Sequence, residues 1–344
     1  MTQIRYPLPL RKGDTIAVTA PSSGVLSELH SHLDLAEKSV TQAGYRVVEG
    51  DTVRTQKKAA SAPRKQRAQE LTRFLLDPAN RAVIPPWGGE LLMEILPLLD
   101  WEELRAAPPK WVLGYSDIST FTFAYTLLTG TASAHGTNYI DLGSREWDSL
   151  TRRWVDVLSL TEGGQITQVS SPMYQSSWER RNQQPERGFD LDTPTRWRVL
   201  GEDDGAVSLS GRLLGGCIET LSSLVGTPFA PVETFAAKED EGILWYLESS
   251  ESSATEIYRR LWQMKEGGWF RHATGVLIGR PGKYQHTQDF GLLDALEDAF
   301  GELGIPVVYE VDVGHVPPQL TLVNGAWGEV KVEGGRGEVH MKFL

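Results

Sequence analysis

The chain is poor in cysteine: among its 344 residues there is one, Cys217. A lone cysteine excludes an intramolecular disulfide, so folding cannot depend on an oxidising compartment. Long apolar runs are also missing. None approaches the ~20 residues needed to span a bilayer, and the opening stretch MTQIRYPLPL contains two prolines and no apolar region of signal-peptide length. Positive charge is in short supply, with 34 Lys and Arg against 45 Asp and Glu and a formal net charge of -11. That balance argues against a nucleic-acid polymer as partner. Metal-ligand spacing is absent: the sequence holds no HExxH, no paired cysteines and no Asp cluster, and neither a Walker A nor a GxGxxG run. These absences together lead to the expectation of a cytoplasmic protein with no membrane partner, no metal and no cofactor.

What is present suits a globular protein of about two domains. The first half alternates strand-like and helix-like segments. Strands are expected at 14–20, 45–48, 82–84 and 110–113. Helices are expected at 25–43, 62–76, 90–99 and 117–129. Such alternation predicts an α/β fold, a parallel sheet with helices on its faces. Sites in such sheets lie beyond the carboxyl ends of the strands, which directs attention to 20–24, 85–90 and 114–117. Residues 170–208, rich in Ser, Pro, Gln, Arg and Asp, interrupt the pattern and read as a linker or long loop. Beyond them, strands are expected at 242–247, 274–278 and 306–311, a capping box at Ser253 and Glu256 starts a helix, and 328–343 reads as a hairpin. The expected division is 1–168 as an N-terminal α/β domain, 169–208 as a linker or insert, and 209–344 as a mixed β/α domain.

Gly114-Tyr115-Ser116-Asp117 lies between an apolar strand and an amphipathic helix. A serine at such a turn is exposed at the sheet edge, with free N–H groups of the helix start behind it, the logic of a nucleophile elbow. The second glycine of G-x-S-x-G is replaced by Ile118, and the plain alternative is a helix cap. A base for the serine is offered by His315, framed by Gly314, Pro317 and Pro318; a solvated loop histidine is the alternative. Glu248 ends an apolar strand and is a candidate acid, with Glu251 and Asp312 as rivals at this level. Gly88 and Gly89 follow the third strand, where bare backbone can approach a substrate closely and form an oxyanion hole. Cys217 reads as a small buried residue rather than a catalytic thiol.

Taken in order, the segments GDTIAVTAPSSG, PPWGGE, VLGYSDIS, SAHGTN, GRLLGGCIETL, LWYLESSE, GVLIGRPG and VVYEVDVGHVPPQLTLVNGA resemble the LD-carboxypeptidase family of serine peptidases, and GYSD and GHVPP are the specific ones. The resemblance implies a Ser-His-Glu triad of Ser116, His315 and Glu248, with oxyanion donors at Gly88 or Gly89 and at Asp117. It implies a flavodoxin-like N-terminal domain carrying the serine, a C-terminal domain carrying acid and base, a site at their interface, and a homodimer. Two groups of the family matter. One trims D-alanine from murein tetrapeptides, and the microcin C immunity peptidases cut an aminoacyl group from a modified nucleotide. The sequence looks more like the second group, so the expected partner is a small peptide-like or aminoacyl-nucleotide substrate. Trp87, Trp178 and Trp197 are candidates for stacking on an aromatic leaving group. The murein group's Arg-Gly-Gly-Tyr-Gly segment reads Pro86-Trp87-Gly88-Gly89-Glu90 here, and Gly216-Cys217 stands where many relatives have Gly-Asn. A sensor that keeps the fold without turnover is the alternative outside enzymes.

Overall fold

The computed structural model describes residues 4–202, 205–237 and 241–344. Its first half forms the expected alternation: β1 (Thr15–Val18), α1 (His30–Gln42), β2 (Arg46–Glu49), α2 (Arg64–Leu76), β3 (Asn80–Val83), β4 (Trp111–Val112) and α3 (Ile118–Thr129). Helix α1 buries Leu33, Ala36 and Val40, spaced three and four apart on one stripe. The strands pair in parallel in the order β2-β1-β3-β4. A parallel bridge from Leu113 to Ala134 extends this sheet by one more short segment, giving the doubly wound order of flavodoxin-like sheets. The segment expected as a helix at 90–99 is a 3-10 helix over Leu92–Leu98. Pro97 lies inside it and has no N–H to give to an α-helical ladder.

Among the described residues the second sheet has eight strands. In chain order they are β5 (Gln165–Val169), β6 (Arg198–Val199), β7 (Val207–Cys217), β8 (Ile243–Glu248), β9 (Ala273–Gly279), β10 (Val307–Val311), β11 (Trp327–Glu333) and β12 (Arg336–Lys342). Their spatial order is β5-β12-β11-β7-β8-β9-β10-β6. Strand β7 joins the two characters of the sheet, antiparallel to β11 along its first half and parallel to β8 along its second. Strand β8 is buried at every position, as a central parallel strand should be. Helix α4 (Ala254–Glu266) starts at the Ser253–Glu256 capping box and buries Ala254, Ile257, Leu261 and Met264. Helix α5 (Leu292–Phe300) packs beside it. The 169–208 stretch is built of short pieces, including a helical turn over Glu179–Gln183, before β6 closes the sheet edge.

The two sheets meet through Leu322–Asn324, which pairs antiparallel with Ser133–His135. Asn324 is fully buried there. Its Oδ1 accepts from Gly215 N–H at 3.0 Å and from the Tyr246 hydroxyl at 2.6 Å, while its Nδ2 donates to Ser133 Oγ at 3.2 Å. One side chain thus ties the end of the first sheet to β7 and β8. No helix among the described residues is long and apolar enough to cross a membrane.

Candidate active site

The carboxyl ends of the parallel strands converge on one cavity of about 740 Å³. Ser23 and Gly24 follow β1, Trp87 to Glu90 follow β3, and Tyr115 and Ser116 follow β4. The second sheet contributes Cys217 at the end of β7, Glu219 and Thr220 just beyond it, Ser250 to Ser252 beyond β8, and His315 from the loop after β10. This is the crevice that doubly wound topology leaves beside its innermost strands.

Ser116 sits at φ 63, a left-handed conformation that a side chain with Cβ adopts at a cost. The next residues turn at once into α3, with Ser119 N–H bonded to Ser116 O at 2.9 Å. The Asp117 carboxylate is buried and occupied: it accepts from Ser22 Oγ at 2.5 Å, Leu92 N–H at 2.9 Å and Thr120 Oγ1 at 3.0 Å. It therefore fastens the loops after β1 and β3 to the start of α3. Its own N–H, and those of Gly88 and Gly89, find no acceptor among the described residues. Gly88 is pressed against the elbow. A Cβ there would lie 2.6 Å from Ser116 Cβ, 2.7 Å from Ser116 Oγ and 2.8 Å from Asp117 N. Only bare backbone fits there, so the Gly88 main chain lies against Ser116 and the start of α3.

Glu248, the last residue of β8, is 1% exposed and its Oε2 receives His315 Nδ1 at 2.6 Å. Nδ1 thus carries the proton, which leaves Nε2 as the basic nitrogen. The Tyr115 ring stands edge-on to the imidazole with centroids 4.9 Å apart. Burial pulls the His315 pKa down, but the charge and hydrogen bond of Glu248 outweigh it, so the pKa ends above its ordinary value. Ser116 Oγ and the imidazole share the cavity without a hydrogen bond between them; such contacts often tighten only when substrate binds.

The rivals for the acid fall elsewhere. Asp312 is fully buried and committed to Arg280 at 2.5 Å, Trp197 Nε1 at 2.9 Å and Ser171 N–H at 3.0 Å. Glu251 is exposed and ion-paired with Lys283. The three tryptophans separate. Trp87 lines the main cavity and also an adjoining cleft of about 210 Å³, where it is joined by Tyr115, Asn138, Trp178 and Arg181. Trp197 lines neither: it is 1% exposed, packed into the core with its indole N–H on Asp312. The expectation that Trp197 contacts substrate is thereby corrected. Its ring lies against Gly337 of β12, where a Cβ would collide with it. Cys217 is buried, and burial pushes its thiol well above the ordinary value, so no thiolate nucleophile is available. Glu219 was not singled out in the sequence, since one acid two residues beyond a glycine-rich strand carries no local signal. No cluster of possible metal ligands occurs among the described residues.

Two family models match the chain, the LD-carboxypeptidase N-terminal domain over residues 16–136 and the LD-carboxypeptidase C-terminal domain over residues 210–330. The chain belongs to the LD-carboxypeptidase family. A putative carboxypeptidase of Vibrio cholerae is 24% identical over 335 residues, covering 94% of each chain. A probable murein peptide carboxypeptidase of Bacillus subtilis is 26% identical over 325 residues, covering 93% of this chain and 89% of its own. The microcin C7 self-immunity protein MccF of Escherichia coli is 22% identical over 322 residues, covering 92% of this chain and 90% of its own. A solved structure of MccF in complex with aspartyl sulfamoyl adenosine superposes with a TM-score of 0.83 at 21% identity, over 98% of this chain and 99% of that one. The two-sheet architecture of this LD-carboxypeptidase family member is therefore that of MccF, and its relatives support a peptidase activity.

Proposed function

We propose that this LD-carboxypeptidase family member is a serine-type amide hydrolase with Ser116 as nucleophile, His315 as general base and Glu248 as its orienting acid. The observation that carries the reading is the 2.6 Å bond from His315 Nδ1 to buried Glu248 in the cavity that also exposes the strained Ser116. Ser116 Oγ attacks the scissile carbonyl as Nε2 takes its proton, and an acyl-enzyme forms as the same proton passes to the leaving amine. Water then repeats the sequence. Glu248 holds the tautomer and balances the imidazolium. The N–H groups of Asp117 and of Gly88 or Gly89 hold the oxyanion, each worth roughly 3 kcal/mol of transition-state stabilisation.

The substrate we favour is an aminoacyl nucleotide. Its aromatic leaving group fits the cleft walled by Trp87 and Trp178 next to Ser116, and the relative MccF binds aspartyl sulfamoyl adenosine. A murein tetrapeptide ending in D-alanine is the second reading, favoured by the murein peptide carboxypeptidase among the relatives. Side-by-side hydrolysis of an aminoacyl sulfamoyl adenosine and of the tetrapeptide separates them. Turnover of the adenosine compound alone, lost in Ser116→Ala, supports the first. Turnover of the tetrapeptide alone replaces it with the second. Binding of either with no turnover by wild type makes the protein a sensor and removes the hydrolase reading.

A further inference from the structure

The hydrolytic mechanism does not use Glu219, yet this carboxylate forms part of the cavity wall beside Cys217 and Ser252. The wall also carries Glu90, Glu251, Glu256, Arg260 and His315. Glu251 pairs with Lys283, and Glu256 caps helix α4 through Ser253 while Arg260 lies near it. Glu219 differs. Among the described residues no Lys, Arg or His lies within ion-pair distance of it. Its neutral donors are distributed unevenly. Oε1 accepts from Ser249 Oγ at 2.6 Å, Ser250 N–H at 3.0 Å and Ser252 Oγ at 2.5 Å. Among the described residues Oε2 accepts only the weak Cys217 S–H at 3.0 Å. Burial pushes the Glu219 pKa up, but the Cys217, Ser249 and Ser252 donors together hold it below its ordinary value. An ionised, largely enclosed carboxylate with one oxygen saturated and the other nearly free is costly unless a cation arrives.

Resting on the hydrolase reading, we propose that Glu219 is a specificity-determining residue that binds an ammonium or guanidinium group on the acyl part of the substrate through Oε2. The acyl part is assigned because Glu219 does not border the Trp87–Trp178 cleft proposed for the leaving group. The serines and Cys217 position the carboxylate and leave its charge unneutralised. Acidic acyl groups, such as the aspartyl group bound by MccF, are repelled here.

The test measures binding to Ser116→Ala protein by calorimetry, with lysyl, norleucyl, glutamyl and N-acetyl-norleucyl sulfamoyl adenosine as probes. The expected result is lysyl over glutamyl by at least about tenfold, falling below about threefold when Glu219→Gln is added. Gln keeps an oxygen for Ser249 and Ser252 but not the charge. Ser252→Ala, which drops a hydrogen bond and keeps the charge, retains the preference; a merely structural Glu219 would make the two variants behave alike. A lysyl advantage over norleucyl assigns the cation to the side chain, and a Glu219-dependent loss on N-acetylation assigns it to the α-ammonium. Equal binding of lysyl and glutamyl probes with no effect of acetylation, a preference unchanged in Glu219→Gln, or no binding at all overturns the proposal. Hydrolysis by wild type is scored separately: Glu219-dependent binding with no cleavage removes the hydrolase reading and leaves this one standing.

Discussion

In the proposed mechanism His315 gathers most of the chemistry into one residue. Its pKa is set by burial working against Glu248, and Glu248 wins. A base must be neutral, so kcat/KM should rise with pH through a limb lying above the ordinary histidine value of about 6.5. In Glu248→Gln the raising charge is gone, and the limb should move to lower pH while the rate falls on the order of 10³–10⁴-fold. The same shift acts on stability. A histidine whose pKa is raised by folding contributes fully below its unfolded value and loses that contribution as pH climbs through its folded one. Thermal melts should therefore show the Glu248→Gln penalty shrinking as pH rises through that window. Ser116 offers a second test at this scale. Its φ of 63 suits glycine better than alanine, so Ser116→Gly should unfold at higher denaturant than Ser116→Ala, by about 1 kcal/mol, with both inactive. Local pattern brought out the serine and the histidine through their turns, with a helix cap and a solvated loop histidine left open beside them. The choice of acid among Glu248, Glu251 and Asp312 stayed open on local pattern, because which carboxylate meets His315 is a matter of how β8 and the loop after β10 lie together. The family resemblance pointed to Glu248, the one of the three that the structure pairs with His315.

Elements were legible where periodicity was strong and obscure where glycine or proline broke it. Strand β7 was not anticipated, since Gly211, Gly215 and Gly216 dilute its pattern. Packing explains them: a Cβ at Gly215 would strike the Tyr246 carbonyl of β8. The 169–208 stretch read as a loop because its order comes from contacts with distant parts of the chain. Its tryptophans make two opposite predictions. Trp178→Ala should raise KM for an adenosine substrate by an amount equivalent to about 1–3 kcal/mol, with kcat and melting temperature little changed. Trp197→Ala should lower stability by about 3–5 kcal/mol, strip Asp312 of a donor, and leave KM unchanged in the folded protein. In the loop after β3, Gly88→Ala drives a Cβ into Ser116. Steady-state kinetics should show kcat down by about 10²-fold or more, while circular dichroism stays that of wild type.

Among the described residues the two larger sheets turn strand ends to one crevice, and neither lines it alone. The first brings Ser116 and the Gly88–Gly89 loop to it, and the second brings Glu219, the Glu248–His315 pair and the serines after β8. The rule that places sites at the carboxyl ends of parallel strands found the crevice from sequence. The join at Asn324 was not legible, because a buried polar hub shows itself only through its partners. Asn324→Leu leaves Gly215 N–H and the Tyr246 hydroxyl without an acceptor. It should cost about 2–5 kcal/mol in chemical unfolding, a loss larger than that of any surface substitution.

The central claim is that Ser116 is a nucleophile activated by His315 and Glu248. The most direct measurement is mass spectrometry of peptides after reaction with a serine-directed fluorophosphonate, in wild type, His315→Ala and Glu248→Gln. The account predicts one adduct, on Ser116, forming at least about 100-fold more slowly in both variants. An adduct on another serine, or one on Ser116 at the same rate in all three proteins, would contradict it.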